Sequence, residues 1–265
     1  MIAITSGSTR TVAYADFRDR QREMFSLEMR EVKQLGGGRL VGTGHDELTY
    51  QLKNQSRQRY VPLNEWLCYE IAEAAGIPVP VKRIVRYTGM GQVFGSRYLA
   101  TSVRDGGLSL PSGELRNMIS GAPIWRIFSL DLFLGNWDRG FDNLIFSDCD
   151  SGRCVQAIDF EKGLLAYEGM RMPDPVRGKA DTATMTTARI VDSIWPLRKY
   201  HADIERVLDN IAGISADHLI GWIQSAPPAW AHGDLVEPCI DWWSGAAPAS
   251  RIQRIKMALR NGELV

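Results

Sequence analysis

The sequence predicts an α+β fold in two unequal parts, a small strand-rich half over residues 1–103 and a larger helical half over residues 104–265. Three observations lead there. Up to residue 103, short strand-like runs surround one helix. From residue 104 the apolar spacing turns helical. A single polar hairpin, "NLIF" and "CVQAID", interrupts that second half. A chain of 265 residues is long enough for two lobes around a cleft, each with apolar residues to bury.

The elements follow in order. "MREVKQL" reads as a strand, "GGGRLVGTGHDE" as a glycine-dense turn region, and "LTYQLKN" as a second strand. "PLNEWLCYEIAEAAGIPVP" is a helix: Leu63, Leu67 and Ile71 recur at helical spacing, Gly76 sits where a C-terminal cap belongs, and Pro78 blocks continuation. "VKRIVRY" and "VFGSRYLATSV" read as further strands. In the second half, "APIWRIFSLDLFL" has Pro123 near its start, Ile124, Phe128 and Leu132 on one face, and Gly135 at its end. Residues 202–211, 215–224 and 250–260 are further helices. "SDCDSGR" supplies the turn of the polar hairpin.

Composition excludes several classes. Thirty-one basic residues balance thirty-one acidic ones, which removes any global electrostatic case for nucleic acid or anionic membrane. Hydrophobic residues at 45% and charged residues at 23% are an ordinary globular mixture. No run approaches the ~20 apolar residues of a membrane span, and the first twenty residues lack the order of a signal peptide. The expectation is a soluble cytoplasmic protein without a membrane partner. Cys68, Cys149, Cys154 and Cys239 form no C-x-x-C pair and read as reduced thiols.

The chemistry gathers in "GNWDRGFDNLIF", residues 135–146. Asp138 precedes Asn143 by five positions, and Asp159 ends the next strand in "AIDFEKGL". Phosphoryl transfer needs cations held on phosphates and a group orienting the attacking hydroxyl. An aspartate, an asparagine five later and an aspartate across a hairpin supply one base-like carboxylate and two hard oxygen ligands suited to Mg²⁺.

At these residues the sequence resembles the HipA-like kinases. "DRGFDN" followed by "IDFEKG" is similar to the D-x-x-x-x-N loop and metal-binding aspartate of protein-kinase-like enzymes, with Gly-Asn-x-Asp-Arg in place of His-Arg-Asp. "YQLKNQSRQRYVPLNEWLCYEIAEAAGIPVP" is similar to the HipA-like pattern of a strand lysine, a polar insert, then Asn-Glu opening a helix. The resemblance spans roughly residues 30–165. It implies a bilobal protein-kinase-like fold with ATP and Mg²⁺ as cofactors. Asp138 would be the catalytic base, and Asn143 and Asp159 would hold metal. Lys53 would touch the ATP phosphates, paired with Glu65 or, in reserve, Glu70. Gly36, Gly37 and Gly38, with Gly42 and Gly44, would let backbone approach the phosphates. "RYLAT" would be the hinge, with Tyr98 and Ala100 against adenine. The acceptor would be a protein Ser or Thr, and a toxin role with an antitoxin partner is implied. The serine that HipA carries in its glycine loop has no counterpart here, where Thr43 is the only hydroxyl.

Other readings stay beside it. The chain is alternatively a nucleotide-binding pseudokinase, or a kinase of lipids or small molecules, since lipid kinases share the Asp-Arg pair. Arg139 either holds a phosphate or pairs with a neighbouring carboxylate. "HGDLVEPC" resembles the loop of aminoglycoside phosphotransferases, but Cys239 stands where an asparagine belongs and a thiol ligates Mg²⁺ poorly; the segment reads as a loop. "GNWDRG" lacks the histidines of a metallophosphatase. The basic C-terminal segment reads as a core stripe of Ile252, Ile255 and Leu259 with a solvated rim, and the late tryptophans as packing.

Overall fold

Five short strands close on themselves in the first half. In the computed structural model, which describes residues 25–35, 39–56, 58–98, 119–149, 152–176 and 181–265, they are β1 (Ser26–Gln34), β2 (Leu40–Gly44), β3 (Thr49–Lys53), β4 (Lys82–Tyr87) and β5 (Gly91–Arg97). The order round the barrel is β1-β2-β3-β5-β4, with β1 parallel to β4 and every other pair antiparallel. Closure leaves no open edge. Met29, Tyr50, Leu52, Val85 and Val93 fill the inside.

The turn expected over residues 36–47 is half strand. Leu40–Gly44 pairs with both β1 and β3. Its two glycines made it read as a turn, but they serve the packing. A Cβ on Gly42 would lie 2.8 Å from Met29 Sδ, and one on Gly44 would lie 2.7 Å from Leu27 Cδ2.

Helix α1 (Val61–Ala74) lies between β3 and β4 in sequence. Gly76 adopts φ +76°, and Ile77 N donates to Ala72 O at 2.8 Å, the capped stop its sequence predicts. α1 is buried nearly all round, and its Leu63, Trp66, Leu67 and Ile71 belong to the core of the helical half.

That half contains α2 (Gly121–Leu134), the hairpin β6 (Leu144–Cys149) and β7 (Gly152–Ala157), then α3 (Ala183–Ile194), α4 (His201–Ala212), α5 (Ala216–Ser225), α6 (Gly233–Ser244) and α7 (Ala247–Asn261). α2 ends at Gly135 in the left-handed region. Two helices escaped the sequence reading. α3 is rich in β-branched residues and starts on the Thr182 cap, whose hydroxyl accepts from Met185 N. α6, with His232 as its cap, covers the rest of "HGDLVEPC", which the sequence reads as a loop; Pro238 lies inside the helix. Cys68 and Cys239 are free and buried, whereas Cys154 on β7 is disulfide-bonded, against the expected reduced thiol. No helix among the described residues is long and apolar enough to cross a membrane.

α7 behaves as its stripe predicts. Ile252, Ile255 and Leu259 are buried, while Lys256 and Arg260 pair with Asp209 and Glu205 of α4. Arg251 departs from the rim pattern. It is buried, and it donates to Leu132 O, Phe133 O and Pro173 O, capping the C-terminal carbonyls of α2. Burial pushes its guanidinium down to about 10, against the pull of Tyr167 and Asp174.

Candidate active site

Lys53 is the last residue of β3, beside the start of β2, because Leu40 pairs with Leu52. Its ammonium reaches out of the barrel to three carboxylates. Glu65 Oε1 of α1 lies 2.7 Å away, Asp159 Oδ1 is a direct partner, and Glu161 Oε2 lies 3.5 Å away. Burial would lower the lysine, but Asp159, Glu65 and Glu161 together hold it well above its ordinary value. Glu65 moves the other way for a carboxyl: burial pushes it up to about 7, Lys53 pulls it down, and the charges of Asp159 and Glu161 add to the rise. Glu65 Oε1 also accepts from Phe160 N at 2.9 Å, while Oε2 is buried with no partner among the described residues.

Asp159 follows β7 and has φ +61°. Burial raises its carboxyl, yet Lys53 and Arg139 outweigh burial and leave it below the usual range. At neutral pH it is an anion facing Lys53.

The loop after α2 is fixed by one buried arginine. Arg139 grips Asp131 with both edges of the guanidinium, Nε to Oδ2 at 2.8 Å and Nη2 to Oδ1 at 2.9 Å. Its Nη1 donates to Asn143 O at 2.8 Å and to Ile158 O, so one side chain joins the loop to both arms of the hairpin. Asn136 Nδ2 donates to Asp131 Oδ1, and Thr184 Oγ1 of α3 accepts from Arg139 N while donating to Asn136 O. Arg139 is therefore a carboxylate partner, the second of its two expected roles.

Asp138 and Asn143 ride on that frame. Asn143 Nδ2 donates to Asp138 O at 2.7 Å, which commits the amide nitrogen and makes the amide oxygen the atom that could ligate a cation. Ile158 N donates to Asn143 O, placing Asn143 one residue from Asp159 across the hairpin. Burial raises the Asp138 carboxyl and the Asp159 charge adds to it; Lys162 pulls it back, and Glu161 and Asp142 raise it further. Lys162 Nζ stands 5.7 Å over the Trp137 ring.

The structure brings Lys53, Glu65 and Asp159 into direct contact, with Asn143 and Asp138 beside them. Glu70, the reserve partner, pairs with Lys82 at 3.3 Å instead of with Lys53. Tyr98 N donates to Thr49 O at 2.7 Å, so this amide serves the sheet and not a ligand. Gly36, Gly37, Gly38 and Ala100 lie outside the described residues. Leu35 N to Arg39 O joins β1 and β2 at the Lys53 end, whereas Gly42, Thr43 and Gly44 run toward the far end of β2. Gly42 and Gly44 therefore serve packing and not the phosphate approach expected of them.

In "HGDLVEPC", His232 stands 3.3 Å from Gln55 in a half-buried contact and Asp234 pairs with Arg59 in an exposed one, both between the two halves. Sequence reasoning missed Asp131, Thr184 and Glu161. Asp131 was hidden inside an apolar helix, where its charge is itself the signal, since an unpaired aspartate is rarely buried.

No protein-family model matches the sequence, and no curated protein does. Among solved structures, the chain is similar to the Helicobacter pylori proinflammatory kinase CtkA at 14% identity and TM-score 0.52, covering 90% of this chain and 100% of that one. The chain has a kinase-like fold. Further similar structures are the Golgi casein kinase (11% identity, TM-score 0.49, 95% of this chain and 79% of that one) and HipA from the Shewanella oneidensis toxin–antitoxin complex with HipB and operator DNA (12%, 0.44, 87% and 62%). In this fold the barrel and α1 carry Lys53 and Glu65, and the hairpin carries Asn143 and Asp159.

Proposed function

We propose that the protein is an ATP- and Mg²⁺-dependent kinase of HipA-like type that phosphorylates serine or threonine of a protein. One observation carries this reading: Lys53, from the barrel, meets Glu65 of α1 and Asp159 of the hairpin around a single ammonium, next to Asp138 and Asn143.

The donor set fits a magnesium ion. Asp159 and Asn143 offer hard oxygens one hairpin register apart, and the surrounding charge is negative in excess. Among the described residues no three His, Cys, Asp or Glu side chains close round a metal. That suits an ion completed by nucleotide phosphates, as magnesium sites of this class are. When bound, the metal would neutralise charge on the phosphates. Lys53 would add its ammonium to the same phosphates, moving off Asp159 while Glu65 keeps hold of it. Asp138 would orient the acceptor hydroxyl and accept its proton as the new O–P bond forms and the bond to ADP breaks. Positioning and electrostatics would supply most of the rate.

The lipid-kinase alternative drew on Arg139 after Asp138. That arginine is buried and its donors are occupied within the loop, which removes this support. A toxin role and an antitoxin partner follow from the motif resemblance, and a cytoplasmic location from the sequence's lack of membrane-span and signal-peptide patterns; none of them follows from the site.

The test is phosphopeptide mass spectrometry of a bacterial lysate incubated with the protein and Mg²⁺-ATP, with Asp138→Asn as control. New phosphoserine or phosphothreonine with the wild type only is the expected result. Transfer by Asp138→Asn at the wild-type rate would overturn the role given to Asp138. ATP-induced thermal stabilisation with no turnover on any substrate would favour a pseudokinase.

A further inference from the structure

Asn64 stands beside Glu65 on α1 and is fully buried. Its Nδ2 donates to Phe160 O at 2.6 Å, and its Oδ1 accepts from Leu165 N at 2.9 Å. Glu65 Oε1 accepts from Phe160 N. Two adjacent α1 side chains thus hold both backbone polar groups of the residue that follows Asp159. The Phe160 ring is locked as well: it is fully buried, edge-on to Tyr69 of the same helix at 5.8 Å, with the Arg139 guanidinium 4.7 Å over its face.

This grip has something to hold. Asp159 at φ +61° occupies the left-handed region, which a residue with a Cβ keeps only when its surroundings over-determine it. The bonds to Phe160 and Leu165, together with the Lys53 ion pair and Gly163 N on Phe160 O, over-determine it. Without them Asp159 relaxes toward extended backbone and its carboxylate turns from the Lys53 side.

We infer that Asn64 is a positioning residue that sets the affinity of the Asp159 site for Mg²⁺ by fixing the backbone of residues 160–165. The inference rests on the kinase reading above. Residues that orient a ligand from behind commonly change metal affinity by about 10- to 100-fold when removed.

The experiment follows the thermal stabilisation of the full chain by saturating ATP as Mg²⁺ is titrated, for the wild type, Asn64→Ser and Asn64→Asp. The aspartate keeps the acceptor for Leu165 N and, while ionised, has no donor for Phe160 O. Both variants are expected to lower the unliganded melting temperature and to raise the half-saturating Mg²⁺ by about 10-fold or more. A purely structural asparagine would lower the melting temperature and leave the Mg²⁺ midpoint in place, and that result in either variant that folds overturns the inference alone. A wild type with no Mg²⁺-dependent gain overturns the kinase reading and the inference together.

Discussion

Arg139 and Lys53 are both buried cations that reach the β6–β7 hairpin, but their surroundings differ. Arg139 faces one carboxylate, Asp131, in a two-pronged contact, and its remaining donors end on Asn143 O and Ile158 O. Charge is balanced and geometry is complete. Lys53 faces Glu65, Asp159 and Glu161 at once, and the second oxygen of Glu65 has no partner among the described residues. Charge there is unbalanced toward the negative. The difference separates a frame from a site: a saturated pair can only hold the loop, while an acid-rich cluster can take a further cation and release its lysine to another anion.

Predictions test that division, from the largest effect down. Asp138→Asn should cut phosphoryl transfer by about 10²- to 10⁴-fold, with ATP-induced stabilisation nearly unchanged; single-turnover kinetics beside a thermal shift would show it. Next, the two cations should fail differently. Asp131→Ala strands the Arg139 charge in the core and should lower unfolding stability by about 3–5 kcal/mol. Lys53→Met should cost clearly less, because Glu65, already raised to about 7, takes up a proton once the ammonium is gone; it should instead abolish transfer. Urea unfolding of both variants decides this, and equal losses would erase the distinction.

A smaller effect concerns pH. The Asp138 carboxyl is raised, so its basic form is lost at a higher pH than for a free aspartate, and the acid limb of kcat should lie above that range. Asp142→Asn removes one of the charges that raise it and should move the limb to lower pH. Smallest of all, Asp234→Asn breaks an exposed pair with Arg59 and should change stability by no more than about 1 kcal/mol, with no change in turnover.

Much of this was legible in the sequence. Helix α1, its Gly76 stop, the strand lysine and the Asp138–Asn143–Asp159 spacing are local signals, each carried by a few neighbouring residues. What was not legible depends on distant ones. Gly42 and Gly44 read as a turn because their packing partners, Met29 and Leu27, lie on another strand. Pro238 hid α6, since a proline speaks against helix until tertiary packing overrides it. Arg139 left two roles open, and only the fold brings Asp131, eight residues back, beneath it. Glu65 was distinguishable from Glu70 by motif alone; in the structure Glu65 pairs with Lys53 and Glu70 with Lys82, since five residues of helix turn the second about 140° from the first.

The burial of α1 has a mechanical consequence. Trp66 Nε1 donates to Trp222 O of α5, Asn210 Nδ2 of α4 donates to Ala75 O, and Trp230 Nε1 donates to Gln92 O of β5. These ties moor α1 and the β4–β5 side of the barrel to the helical body. The β3 side is tied across as well: Lys53 pairs with Asp159 and Gln55 Nε2 donates to Ala229 O, while the ladders of β3 to β2 and β5 keep the barrel closed. An anion that drew Lys53 off Asp159 would therefore undo one of these ties, and Glu65, on the moored α1, would keep its hold on the ammonium.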